Sequence, residues 1–218
     1  MTTVFKEKES CRVCGTVSEH FRFGSINSFG SPDLDTRPPQ MIRSTLKFQI
    51  RRCTMCGYCA PDLADASTQV FEIVKMDFYQ TQLFHPEFSV LVNNFLCHSI
   101  IQRALGALDE AGWSSVRAAW VCDDEQVPHA ARQCRAQAIR LFQLCQRTGV
   151  SFASDPGVEE AVLADLYRRI GQFEQVHPLC QQGIAKNPSD TIYQMLNFQI
   201  ALAKQQDPVC HVIAEALP

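Results

Sequence analysis

Five of the eleven cysteines fall within the first 59 residues, and four of them form two copies of one pattern: Cys11-Arg-Val-Cys14-Gly15 and Cys53-Thr-Met-Cys56-Gly57. Two intervening residues let a tight turn aim both sulfurs at one ion, and a glycine just after the second cysteine can take the positive φ that closes the turn. Each copy is a zinc-knuckle signature. Together Cys11, Cys14, Cys53 and Cys56 supply the four sulfurs of a tetrahedral structural zinc site, at Zn–S distances of about 2.3 Å, with no position left for a substrate. The cofactor they predict is Zn2+ in a structural role.

Two other chemistries compete for these thiols. A redox dithiol is disfavoured because neither pair lies in the strand-to-helix turn of a βαβ unit. Cys59 extends the second pair to Cys53, Cys56 and Cys59, a C-x2-C-x2-C run followed by Ala60-Pro61 that partly resembles an iron–sulfur sequence. Asp62 stands where that run needs its next cysteine. Zinc with Cys59 as a spare thiol is the reading these residues support. An odd cysteine count at low density, with no hydrophobic leader among the first ten residues, argues against a disulfide scaffold and places the protein in the cytoplasm. No apolar run reaches the roughly 18 residues of a membrane span. The net charge of -3 excludes a cationic nucleic-acid coat.

The elements that must position the thiols are partly legible. Leu46, Phe48 and Ile50 alternate with Lys47, Gln49 and Arg51, which predicts a half-buried strand over Thr45–Arg52 running into the second knuckle. Val17–Phe23, with Phe21 and Phe23 two apart, predicts a strand leaving the first. Pairing these two would bring both knuckles to one end of a small sheet, the plan of a zinc ribbon, placed at residues 1–65. Between them, Gly24–Gln40 is rich in Gly, Ser, Asn, Asp and Pro and reads as an ordered loop and as the domain's recognition surface. Its Asp33 and Asp35 are expected to cap backbone groups or face solvent.

Residues 66–218 read as a helical domain. Val70, Phe71, Val74 and Phe78 begin the helical spacing, and His85-Pro86 breaks it. An apolar stripe from Phe88 through Phe95 and Ile100 to Leu108 then predicts one helix with Pro86 in its first turn. Ala164–Gly183 resembles a tetratricopeptide repeat, with Tyr167, Gly171, Phe173 and Pro188 at that family's spacing. Ala118–Ala138 matches it at an offset of 46 as a degenerate copy whose second helix runs on through Leu144, and Thr191–Lys204 supplies a closing helix. Cys122, Cys134, Cys145 and Cys180 fall in apolar helical contexts and read as small core residues. Cys97-His98 and Cys210-His211 suggest nucleophile and base, but adjacent helical residues point apart. No catalytic constellation emerges, so an enzyme is not expected.

These residues together resemble a bacterial family of unknown function that joins an N-terminal zinc ribbon to a tetratricopeptide-like helical region. The carriers are Cys11, Cys14, Cys53, Cys56, Gly57-Tyr58 and the run Leu166–Gly171. The N-terminal part is also similar to the two-knuckle domain named for its Cys-Pro-x-Cys pairs, with Ser25-Ile26-Asn27 after the first pair and Arg12 and Thr54 where proline is typical. The resemblance implies metal binding and protein association, with no established activity. The expected fold is α+β: a small β zinc ribbon followed by an all-α, tetratricopeptide-like domain. The expected role is a non-enzymatic adaptor whose helical region contacts another protein. Nucleic-acid binding by the ribbon is the alternative, because residues 1–61 carry 9 Lys or Arg against 5 Asp or Glu, whereas the remainder carries 11 against 18. A four-thiolate zinc centre contributes -2, leaving the ribbon a surplus of only about +2 for phosphate contacts.

Overall fold

The computed structural model describes residues 3–25 and 29–218, so Ile26 and Asn27 lie outside the described residues. The chain folds as α+β, with two antiparallel hairpins preceding a helical body. Strand β1 (Thr3–Ser10) pairs with β2 (Val17–Ser25), and the much shorter β3 (Arg51–Arg52) pairs with β4 (Cys59–Ala60). Each hairpin closes on one knuckle, at Ser10 opposite Val17 and Arg52 opposite Cys59.

The strand expected over Thr45–Arg52 is therefore reduced to Arg51–Arg52, and the two knuckles do not share one sheet. Pro39 leads into a short helix α1 (Gln40–Arg43), and Leu46–Phe48 forms a 3-10 turn. Leu46 and Ile50, four residues apart, satisfy a helical turn as well as a strand. Both are buried with Leu34 in the core of the helical body, while Phe48 turns toward Phe21 of β2 at 6.1 Å.

The helices are α2 (Thr68–Ile73), α3 (Asp77–Leu83), α4 (Val90–Ala104), α5 (Leu108–Asp124), α6 (Pro128–Thr148), α7 (Val158–Arg169), α8 (Val176–Ala185) and α9 (Asp190–Lys204). Pro86 lies in the turn before α4 rather than in its first turn. Ser89 caps that helix, its Oγ accepting the Val92 amide at 3.3 Å. The apolar stripe to Leu108 is likewise two helices, because Gly106 at φ +84° ends the first. Its motif recurs: Ala107, Val127, Gln172 and Asp207 each donate an amide to the carbonyl five residues earlier, and a left-handed Gly106, Gln126, Gly171 or Gln206 precedes each donor. The turns after α5 and α7 thus match at an offset of 45 residues (Val127 to Gln172), one fewer than residue matching gives. From α3 to α9 consecutive helices pack as neighbours, α6 runs on to Thr148 as expected, and α9 supplies the closing helix. Pro178 is tolerated in the first turn of α8, where its missing N–H has no intrahelical acceptor. Cys122, Cys134, Cys145 and Cys180 are all buried in this core.

Instead of offering a free surface, the loop after β2 is clasped by the helical body. Asp33, Leu34, Asp35 and Arg37 are buried. The Trp120 indole N–H donates to Asp35 Oδ2 at 2.8 Å, Asp35 Oδ1 caps the Arg37 amide, and Arg37 pairs with Asp124. On the other side the C-terminal segment closes over the loop: the Leu34 amide donates to the His211 carbonyl and the Ile213 amide to the Pro32 carbonyl. Asp35 takes the first of the two expected roles, capping a backbone amide, and neither aspartate faces solvent.

His98 sits between α4 and α5, buried and away from Cys97 chemistry. Its Nδ1 lies 2.7 Å from Ser114 Oγ and its Nε2 3.0 Å from Gln102 Nε2. With the Gln102 nitrogen as donor, Nε2 accepts and Nδ1 carries the proton. Burial, and then the Arg117 charge, pull its pKa down to about 4. Glu110, 3.9 Å away, is itself engaged by Arg117 at 2.6 Å. The unfolded imidazole protonates near 6.5, so this contribution is complete above that pH and lost as pH falls toward 4, in total about 3 kcal/mol. Urea midpoints at pH 7 and pH 4.5 are expected to fall further for the native protein than for His98→Gln. Parallel losses in the two proteins would refute the assignment.

Candidate metal centre

The two knuckles have the same backbone design. Cys11 N–H donates to the Thr16 carbonyl at 2.9 Å and Gly15 N–H to the Cys11 carbonyl at 2.7 Å. Cys53 N–H donates to the Tyr58 carbonyl at 2.8 Å and Gly57 N–H to the Cys53 carbonyl at 3.0 Å. Gly15 and Gly57 have φ of +75° and +77°, the left-handed conformation that closes each turn.

The turns face each other, so that the nearest sulfurs belong to opposite knuckles: Cys11 Sγ lies 3.7 Å from Cys56 Sγ, and Cys14 Sγ lies 3.5 Å from Cys53 Sγ. All four sulfurs lie within 4.8 Å of one another. A tetrahedron with metal–sulfur bonds of about 2.3 Å has edges of about 3.8 Å, so the set fits one tetrahedral thiolate-bound ion. These separations are far beyond the roughly 2.05 Å of a disulfide, and all four cysteines are free.

The surroundings of the sulfurs differ from one thiol to the next. Burial pushes the Cys11 and Cys56 thiols up, opposed by the Cys14 and Val13 amides at Cys11 and by the Tyr58 amide at Cys56. At Cys14 burial also pushes upward, but the hydroxyl and amide of Thr16 outweigh it and bring the thiol down to about 6. Four thiolates this close repel one another unless a cation lies among them.

Several supporting residues carry no sequence signal. Glu9 at the end of β1 is buried; its Oε1 accepts the Leu63 amide at 2.6 Å and its Oε2 accepts from Arg51 at 3.2 Å, tying the first hairpin to the chain beyond the second. The Arg12 amide adds a bond to the Leu63 carbonyl at 2.8 Å. Tyr79 on α3 holds the second knuckle from beneath: its hydroxyl donates to the Gly57 carbonyl at 2.9 Å and accepts the Cys59 amide at 3.1 Å. Buried tyrosines and carboxylates separated by tens of residues follow no spacing rule, which is why only the cysteines and glycines could be read in advance.

Cys59 is not in the four-sulfur group. Its side chain is fully buried, with Sγ 3.3 Å from the Gly57 carbonyl and 3.6 Å from Asn94 Oδ1, on the side of α4. The neighbouring pairs Cys97-His98 and Cys210-His211 also diverge, Cys97 toward the Tyr79 carbonyl and Cys210 toward Asp33.

The matched glycines have different surroundings. A Cβ on Gly15 meets nothing within 4 Å, whereas one on Gly57 falls 2.3 Å from Cδ2 of the buried Leu83. Gly15→Ala is expected to cost only its left-handed backbone, about 1 kcal/mol. Gly57→Ala adds an overpacking cost of about 1–3 kcal/mol. Urea midpoints of the two variants should separate accordingly, and equal losses would show that Leu83 yields freely. Comparison of the chain with protein-family models, curated proteins and solved structures finds no match, leaving the four-cysteine group as the feature from which a function can be read.

Proposed function

We propose that Cys11, Cys14, Cys53 and Cys56 hold one structural Zn2+ and that the protein is a non-enzymatic adaptor that contacts another protein through its helical region. The crosswise approach of four sulfurs within 4.8 Å carries the metal assignment. With four thiolates bound, a zinc ion keeps no open position for substrate, so it supplies architecture and no Lewis-acid step. The iron–sulfur alternative is weakened because Cys59 faces α4 and not the other sulfurs. Support for an adaptor comes from the stacked helical hairpins and the repeat-like run Leu166–Gly171, since such arrays leave concave faces that bind peptides. Elemental analysis of freshly purified protein is expected to give one zinc per chain in colourless solution; iron with visible absorbance would overturn the metal assignment. Affinity purification should recover a stable protein complex, and a chain that is always alone would overturn the adaptor.

A second reading, binding of single-stranded nucleic acid, draws on one surface. Lys6 lies over the half-exposed Phe21 ring at 5.5 Å and Lys47 over Phe48 at 5.1 Å, a basic aromatic face of the kind on which bases stack. Salt-sensitive RNA binding that Phe21→Ala abolishes would support it.

A further inference from the structure

The helical half is acidic overall, yet one of its grooves has no acid in its lining. About 490 Å³ in volume, it runs between α4 and α6 with α3 at its edge. Arg103, Arg140 and Arg147 line it, all exposed. Among the described residues none of the three guanidinium groups forms an ion pair or a side-chain hydrogen bond. Elsewhere on α5, α6 and α7, Arg117, Arg135, Arg168 and Arg169 are each paired with a carboxylate. The floor is apolar, from half-buried Ile100 and Leu144, and Gln137 closes one end by donating to Ser99 Oγ at 3.4 Å.

We propose that this groove receives an extended acidic segment of a partner protein. The proposal rests on the adaptor reading and names the chemistry of its partner. Arg140 and Arg147 are seven residues apart on one helix, which places their Cα atoms about 10.5 Å apart. A polyproline-II-like segment advances about 3.1 Å per residue and returns every third side chain to the same side. Carboxylates three residues apart therefore match the two guanidinium groups, and apolar residues between them cover Ile100 and Leu144. Guanidinium forks suit carboxylates bidentately. A nucleic acid fits less well, because the lining contains no aromatic ring on which a base could stack.

The test is selection of a phage-displayed random decapeptide library on the full-length protein, followed by anisotropy titration of the winning synthetic peptides. Enriched sequences are expected to carry Asp or Glu at a three-residue spacing. Their binding is expected to weaken at least tenfold in the double variant Arg140→Gln, Arg147→Gln, whose fold is checked by circular dichroism, and to weaken as NaCl is raised. Any of four results would overturn the proposal: no enrichment, enrichment of sequences lacking acids, undiminished binding by the double variant, or displacement of the peptide by a single-stranded RNA that binds more tightly. The two readings fail separately. A partner complex retained equally by the double variant would sink the groove and leave the adaptor standing. Acid-selective, arginine-dependent peptide binding in a protein that forms no complex would do the reverse.

Discussion

Stripping the metal with a chelator, or replacing Cys53 by Ser, is expected to unfold residues 3–25 and 51–83 while residues 31–50 and helices α5 to α9 stay folded. Neither hairpin can stand alone. The second has only two residues per strand, and isolated two-stranded hairpins are marginal in water. What surrounds the thiols is a small apolar cluster that includes Cys11, Cys53, Tyr58, Leu63, Val70, Tyr79 and Leu83 and reaches α4 at Cys97, Ile100 and Ile101. A structural zinc contributes on the order of 10 kcal/mol or more to folding in small domains, and a cluster of this size does not replace it. The segment between the knuckles belongs elsewhere: Leu34, Leu46 and Ile50 are buried in the core formed by α4 to α9. Loss of the metal should therefore melt two separated stretches of sequence and spare the one between them. Hydrogen exchange read by mass spectrometry, with and without chelator, resolves this pattern. Uniform loss of protection, or none, would defeat it. Acid should reproduce the effect, because the ligands bind only as thiolates and protons displace the metal.

Sequence spacing anticipated this four-sulfur cluster because its geometry is local. A CxxCG turn writes its geometry into five consecutive residues, and two copies suffice to name Cys11, Cys14, Cys53 and Cys56. The same locality exposed the Gly171 helix stop and the extent of α6. Less was legible where two periods fit one string. Leu46, Phe48 and Ile50 alternate, yet Leu46 and Ile50 also lie one helical turn apart, and only the position of the helical core decides between them. The clasp around Asp33–Arg37 was illegible for a different reason. Its partners Trp120, Asp124, His211 and Ile213 are distant in sequence, and a loop rich in Pro, Asp and Ser looks the same whether it faces water or fills a buried cleft. Each charge in it has a dedicated partner, which is how so polar a segment tolerates burial.

Arg168→Ala is expected to destabilise the helical body by about 3–5 kcal/mol, the usual cost of breaking a buried, hydrogen-bonded ion pair from one side. The side chain is fully buried. Its Nε donates to Gln199 Oε1 on α9 at 2.8 Å, its Nη1 to the carbonyls of Asp207 at 2.7 Å and Val209 at 2.6 Å, and its Nη2 to Asp165 Oδ1. Among the described residues, truncation leaves the buried Asp165 carboxylate with the Gln199 amide at 3.2 Å as its hydrogen-bond partner, and it frees the two carbonyls that start the C-terminal segment. That segment in turn holds the clasped loop through Leu34 and Ile213, so the exchange of those two amides should quicken even where the fold survives. Arg168→Lys keeps the charge but not the fork, and should recover only part of the loss. The decisive comparison is between Arg168→Met alone and Arg168→Met combined with Asp165→Leu. Removing both charges eliminates the unpaired carboxylate, so the double variant should be more stable to urea than the single one despite carrying an additional substitution. A double variant less stable than Arg168→Met would mean that Asp165 has a structural role independent of the arginine beside it.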